Sequence, residues 1–512
     1  MKRSPRWLQR LLITRLIVMA LILAQIVLII STIVHYKQLL WLTNLMTAIS
    51  FFIAVHLLTR RDEKSAIKFS LIFLIFLFPL FGGALYVVFQ YQTAAIGFRN
   101  RISKVEQTTK DAYQASEERL QRAKEALCNE SKQIHYLQKV PGFPVCDCTE
   151  TTYFSDGNEM LTSLLREIDD AKKYIFLEFF IIEEGYFWDA ILQALKEKAK
   201  VGVDVRIIYD DIGCLLRLPS DYPQTLSQYG IRCKVFNRFR PFLTSLQNNR
   251  DHRKIIVIDG KVAYTGGINL ADEYLNKRVL FGKWKDNAVL LRGLGAWSFT
   301  VMFLQMWKFL DGSSESISDF YPSGSNIEAP QSGWVQPYCD SPMDKEHVSE
   351  QVYLNIIEQA RHYLYITTPY LIIDGSLVST LKLCAKSGVD VRIITPSKPD
   401  KKIVHFTTRS YYRELLHAGV KIYEYGDGFI HSKMLLADDR IASVGTVNLD
   451  FRSMYYHFEC GTCLYGTPSL IDIKEDFLST LTHCYEVTEE SCKTNFVVRI
   501  LQDVCRIFAP LM

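Results

Sequence analysis

The sequence predicts an α/β protein: two similar α/β/α sandwich halves related by a pseudo-two-fold axis, preceded by N-terminal transmembrane helices. Three observations lead there. Apolar runs longer than ordinary core helices fill the first part of the 512-residue chain. Beyond them a helix, strand, helix, strand pattern occurs twice, about 180 to 190 residues apart, with GVDVRII verbatim at 202–208 and 388–394. Each copy then closes on the same motif: His, any residue, Lys, four residues, Asp, six residues, Gly, Gly or Thr, any residue, Asn.

The N-terminus is basic, with Lys2, Arg3, Arg6 and Arg10, and the first apolar run follows at 12–34, broken only by Arg15 and Gln25. It is long enough to cross a bilayer, and no small-x-small cleavage site follows it, so an uncleaved anchor is expected. Two further runs, 39–58 and 67–89, flank the charged connector TRRDEKSAIK. Residues 1–95 therefore read as a membrane anchor, and the protein as a multi-pass protein of the cell membrane. With three spans, the Lys and Arg distribution favours a cytoplasmic N-terminus and an outward catalytic portion; one re-entrant run inverts this, which leaves the side open.

From 96 to 140 the chain turns polar and rich in helix formers, which predicts a solvated helical linker. PGFPV at 141–145 marks the start of the folded part, with a first half over 141–325 and a second over 326–512. In each half, KKYIFLEFFII or RHYLYITTPYLII gives a strand, a helix leads into GVDVRII as the next, and GIRCKVF or GVKIYEY gives a third. The chain ends in NFVVRILQDVCRIFAPLM, apolar at helical spacing with Arg499 and Arg506 nearby. It predicts an amphipathic helix, packed on the core or lying in a membrane interface.

Charge narrows the function classes. Residues 1–110 hold 14 Lys and Arg against 3 Asp and Glu; since the whole chain carries +4, the remainder carries −7. A net-acidic catalytic portion counts against a nuclease, and no nucleic acid partner is expected. All 12 cysteines follow residue 127, most in apolar context that suits a small buried hydrophobe, and Cys460-x-x-Cys463 lacks a second pair at zinc spacing. No metal and no cofactor is expected.

The motif itself carries the chemistry. Lys254–Ile258 and Lys433–Ala437 read as short strands, so a His and a Lys two positions apart project from one face. The Gly-rich turn returns an Asn beside them. Two copies meeting face to face bring His252, Lys254 and Asn269 against His431, Lys433 and Asn448. Two imidazoles, two cations and two amides around one phosphate make a phosphoryl-transfer pocket that needs no metal.

The duplicated motif resembles the phospholipase D superfamily. FSDGNEM at 154–160, FIIEEG at 180–185, NNRDHRK at 248–254, TGGINLADEY at 265–274, FLQMW at 303–307 and GTVNLDFRS at 445–453 are similar to stretches of bacterial cardiolipin synthases. The likeness runs from about residue 39 to the C-terminus. It implies two phospholipase D-type halves and a catalytic set of His252, Lys254, Asp259, His431, Lys433 and Asp438. Lys254, Lys433, Asn269 and Asn448 would bind the phosphate. Despite their place in the motif, Asp259 and Asp438 sit where a strand runs into its turn and are expected to hold structure. Glu459, 28 residues after His431, resembles the superfamily's orienting carboxylate for a histidine, and Asp286 in GKWKDN is the candidate for His252. Which imidazole attacks stays open in a near-symmetric site; family members with two unequal motifs favour His252. Glu178, Glu183, Asp210 and Asp211 fit strand-end packing and substrate contact equally.

The activity implied is a phosphatidyl transferase that joins two phosphatidylglycerol molecules into cardiolipin and releases glycerol, through a phosphohistidine. The partners implied are phosphatidylglycerol, membrane phospholipids and the membrane itself. The alternatives are a hydrolytic phospholipase D giving phosphatidic acid and, against the acidic charge, a membrane-anchored phosphodiesterase or nuclease. Neither acceptor selectivity nor oligomeric state is legible.

Overall fold

The computed structural model describes residues 34–60, 64–79, 93–239, 245–322 and 333–511, with isolated positions between 23 and 31 and between 82 and 86. The chain forms two compact units: Met1–Arg99 with Phe239–Asn248 and Asp503–Met512, and Asn100–Arg238 with Asn249–Gln502. Both motif copies belong to the second. Residues 239–248 and 503–512 cluster with the N-terminal segment.

In the N-terminal unit the run expected at 39–58 is a helix, Tyr36–Thr59, and the run expected at 67–89 supplies a shorter one, Ser65–Leu77. Leu57, Ile75 and Tyr86 form their small core, while Phe51, Phe52, Phe69 and Phe76 stay exposed. Among the described residues one helix, Leu40–Thr59, is long and apolar enough to cross a membrane. The run at 12–34 lies outside the described residues except for isolated positions. Ser70 Oγ donates to the Ile507 carbonyl at 2.5 Å, and Phe73 meets Phe508 edge-on at 5.5 Å.

The second unit holds two sheets. The first half contributes β1 (Thr149–Phe154), β2 (Tyr174–Phe179), β3 (Asp204–Asp210), β4 (Arg232–Phe236), β5 (Arg250–Asp251), β6 (Ile255–Ile258), β7 (Val262–Gly266), β8 (Lys283–Lys285) and β9 (Ala288–Gly293). The second contributes β10 (Trp334–Asp340), β11 (Tyr363–Thr367), β12 (Leu371–Ile372), β13 (Asp390–Pro396), β14 (Lys421–Tyr425), β15 (Gly428–Ile430), β16 (Met434–Ala437), β17 (Ile441–Gly445), β18 (Leu449–Asp450), β19 (His457–Tyr465) and β20 (Cys484–Val487). The sheet orders are β1-β9-β7-β6-β2-β3-β4 and β10-β19-β17-β16-β11-β13-β14-β20, the same order repeated with one more edge strand. The verbatim GVDVRII stretches become β3 and β13, each parallel to its neighbours because a helix makes the crossover. Their near-continuous apolar character follows from burial on both faces.

Two short pairings cross between halves. β5 lies parallel to β19, and β15 parallel to β8, so the residues just before each motif His pair with the opposite half. Helix Leu294–Asp311, buried along nearly all its length, packs on the first sheet and on β10. The segment expected to be a solvated linker is instead built into this unit. Leu120 and Ala123, then Ile134 and Leu137, lie at helical spacing and are buried, and Gln133 donates to Cys463 Sγ at 3.0 Å. Its polar composition hid a narrow apolar stripe. Cys214, Cys384, Cys460 and Cys463 are free thiols.

Asp259 and Asp438 each stand at a left-handed turn, with φ of +51° and +56°, that reverses the chain between the two strands after the motif Lys. Asp259 accepts from the backbone N–H groups of Lys172, Lys173 and Tyr174 at 2.8, 2.8 and 2.9 Å. Asp438 accepts from Arg361, His362 and Tyr363 at 2.7, 2.9 and 2.8 Å. A whole strand separates them from the histidines, so the catalytic set read from the motif is corrected: these two carboxylates pin the turn to the strand beside it. Asp259→Ala is expected to lower stability by about 1–3 kcal/mol, seen as a lower Tm of the detergent-solubilised protein. The kcat of the folded fraction should stay the same.

Candidate active site

The reciprocal pairings deliver the histidines. His252 donates its backbone N–H to the Phe458 carbonyl at 2.9 Å, and His431 to the Lys285 carbonyl at 2.7 Å. Glu459 follows Phe458 and Asp286 follows Lys285, so each imidazole lands beside a carboxylate of the other half. His252 Nδ1 lies 3.0 Å from both Glu459 oxygens, and His431 Nδ1 lies 2.6 Å from Asp286 Oδ2. Asp286, expected beside His252, thus stands beside His431, and it is Glu459 that stands beside His252.

The two carboxylates differ by one methylene, and the motif turn compensates. Thr446 Oγ1 donates to Glu459 Oε2. At the equivalent Gly267 a Cβ would lie 2.0 Å from Asp286 Oδ1, so the shorter acid takes the space that the longer one yields to threonine. Just before these positions Gly266 and Gly445 let adjoining backbone approach, since a Cβ would stand 2.5 Å from the Cα of Ala288 or Gly461.

Lys254 and Lys433 are buried and each reaches back to its own histidine's carbonyl, Lys254 at 2.7 Å. The amides are unequal. Asn269 Nδ2 donates to the Tyr274 hydroxyl at 2.7 Å and its Oδ1 accepts from Ile181 N at 3.1 Å. Asn448 Oδ1 is buried without a hydrogen-bond partner. The expected phosphate donor of the first half is therefore engaged in bracing its own loop. The sequence assigns no role to Tyr274, whose ring lies 5.6 Å from His431, or to Thr446 within the motif. Both stand close to a motif Asn or Gly, the signal that could have found them.

Three of the other acidic landmarks, Glu178, Asp210 and Glu183, are held in ion pairs. Glu178 pairs with Arg253, which also reaches Asp251 at 3.3 Å; Asp210 accepts from Asp251 N at 3.1 Å and pairs with Arg250. These ion pairs stiffen the residues on either side of His252. Glu183 pairs with Arg217 and Arg278. Asp211 N bonds the Phe236 carbonyl at 3.2 Å.

Burial dominates the electrostatics. It lowers His252 to about 3, with Lys254 adding to the effect against the pull of Glu459, and His431 to about 4, with Lys433 beside it. It lowers Lys254 to about 8 and Lys433 to about 7, the latter also by repulsion from Lys254. Burial alone would raise Glu459 and Asp286, but His252 holds the first, and His431 with Lys433 the second, below the ordinary range. Burial thus favours the neutral form of both imidazoles; His252 Nδ1 faces Glu459, and His431 Nδ1 faces Asp286 and, at 2.8 Å, Lys433 Nζ.

Comparison with known proteins adds the family. The family model described as cardiolipin synthase, PLD-like domain, matches residues 164–279 and 353–481. An uncharacterized protein of Streptococcus mutans is 43% identical over 89% of this chain and 98% of its own. The cardiolipin synthase of Geobacillus kaustophilus is 37% identical over 74% of this chain and 76% of its own. Among solved structures, phosphatidylserine synthase of Haemophilus influenzae, 16% identical, covers 77% of this chain and 100% of its own with a TM-score of 0.57, a likeness of fold. Fold and site define an enzyme of the phospholipase D superfamily. Within it, the chain belongs to the cardiolipin synthase family.

Proposed function

We propose that the protein is a membrane-bound phosphatidyl transferase that makes cardiolipin and glycerol from two molecules of phosphatidylglycerol. The observation that carries the reading is the pair of buried imidazoles, each oriented through Nδ1 by a carboxylate of the other half. Nε2 of one histidine attacks phosphorus as the bond to the departing glycerol breaks, and the second histidine gives that oxygen its proton. The hydroxyl of another phosphatidylglycerol then gives its proton to the second histidine and attacks, breaking the P–N bond. One phosphodiester replaces another, so no nucleotide is consumed.

The charges suit a phosphodiester. Two lysine cations balance two carboxylates, so the anionic substrate brings one unbalanced negative charge into a buried site. That charge raises the pKa of a neighbouring imidazole and supplies the general acid. Lys254, Lys433 and Asn448 hold the non-bridging oxygens, and Tyr274, accepting from Asn269, keeps its own O–H to donate. The crossed strand pairs support a pseudo-two-fold relation between halves, with His252 the nucleophile by family analogy. Helices in the N-terminal segment anchor the enzyme in the cell membrane as a multi-pass protein. The amphipathic helix Phe496–Ile507 rests in the interface through Phe496, Val497, Ile500 and Leu501, all exposed. Confinement to the bilayer favours a lipid alcohol over water as acceptor.

The test is product analysis of the purified enzyme on phosphatidylglycerol vesicles. Cardiolipin and glycerol in equal amounts are expected; phosphatidic acid as the main product would make the enzyme a hydrolase. A pH profile adds a second check. Proton loss removes the positive charge of Lys433 and Lys254, so kcat/KM should fall as pH rises through about 7 to 8. Bound phosphate stabilises the ammonium groups, so the limb in kcat should lie at higher pH. Identical limbs in both would remove the lysines from phosphate binding.

A further inference from the structure

His457 plays no part in the scheme above, yet it stands beside its centre. It precedes Glu459 by two positions on β19, so both side chains leave the same face. Its ring centre lies 5.7 Å from that of His252. Its Nδ1 is buried without a hydrogen-bond partner, 3.7 Å from Glu459 Oε1. The equivalent position in the first half, two before Asp286, is Trp284, 5.5 Å from His431 and without a metal-ligating atom. The two histidines therefore differ in their neighbours: one has an indole, the other a third imidazole.

We propose that His252, His457 and Glu459 form a binding site for a divalent transition-metal ion of the zinc class, and that the ion inhibits the enzyme. One ligand atom from each lies within 4.8 Å of the other two. Bonds of about 2.0–2.2 Å in a tetrahedron place donors roughly 3.3 Å apart. The existing separations of 3.0 Å between His252 and Glu459 and 3.7 Å between His457 and Glu459 bracket that spacing. Two imidazoles and a carboxylate select zinc, cobalt or nickel over magnesium or calcium, which take oxygen ligands. A fourth position is left for water.

Inhibition follows from the tautomer. The ion takes the Nδ1 lone pair of His252, and the single ring proton moves from Nδ1 to Nε2. The nitrogen facing the substrate then has no lone pair with which to attack, and Glu459 no longer supports an imidazolium, so the block holds whether His252 is nucleophile or acid. The inhibitory effect rests on the proposed role of His252; binding of the ion does not.

The experiment compares the purified, chelator-treated wild type with His457→Asn and His457→Trp, the second copying the first half. Zinc bound per chain is measured by equilibrium dialysis, and cardiolipin formation is measured over a zinc series. The wild type is expected to bind one zinc that both variants lack, with turnover falling as that ion binds, restored by chelator and indifferent to magnesium. The variants should keep their metal-free turnover and need about tenfold more zinc or beyond for half-inhibition. Cobalt in the site should show no thiolate charge-transfer band, which separates it from an ion bound by cysteine thiolates. Zinc binding unchanged in both variants, or a thiolate band, would overturn the site. Lost binding with unchanged zinc inhibition would overturn the inhibitory role alone.

Discussion

His252→Ala and His431→Ala are each expected to lower cardiolipin formation by about 10³-fold or more, with the double variant no slower than either single one. Attack on phosphorus and protonation of the departing oxygen belong to one transition state, so removing either imidazole leaves the other with nothing to assist. Their fates under acid-base quench should differ. The variant that keeps the nucleophile retains a trace of phosphorylated protein stable to alkali, and the other retains none. Alkali-stable label in both or neither would separate the chemistry from the assignment of one attacking histidine.

Glu459→Gln and Asp286→Asn are expected to reduce kcat by about 10²–10⁴-fold with little change in KM. Each amide preserves shape but loses the charge that orients Nδ1–H and supports an imidazolium. The distinctive outcome is crosswise. In ¹⁵N spectra of the imidazoles, Glu459→Gln should disturb His252 and spare His431, and Asp286→Asn should do the reverse. Glu459→Gln acting on His431 would sink the crossed arrangement seen at 3.0 and 2.6 Å.

How much of this was legible varies by residue. His252 with Lys254, and His431 with Lys433, share a face by strand periodicity, and the verbatim GVDVRII marked two equivalent strands. The turn role of Asp259 and Asp438 was readable from their place at a strand end, although the motif names them with the chemistry. Composition misjudged the linker, because a helix needs few apolar positions, such as Leu120 and Ala123, to dock. Asn269 and Asn448 read alike, yet Tyr274 engages only the first.

By itself the sequence determined the chemistry available: which side chains exist in duplicate, which of them share a strand face, and which family they resemble. These depend on covalent spacing and the two-residue period of a strand. The tertiary structure alone decided which carboxylate serves which histidine. His252 and Glu459 are 207 residues apart and His431 and Asp286 are 145, so their meeting is set by β5 adding to β19 and β15 to β8. Backbone hydrogen bonds between strands are blind to side-chain identity, and no spacing within one half reports which sheet edge the other half will offer.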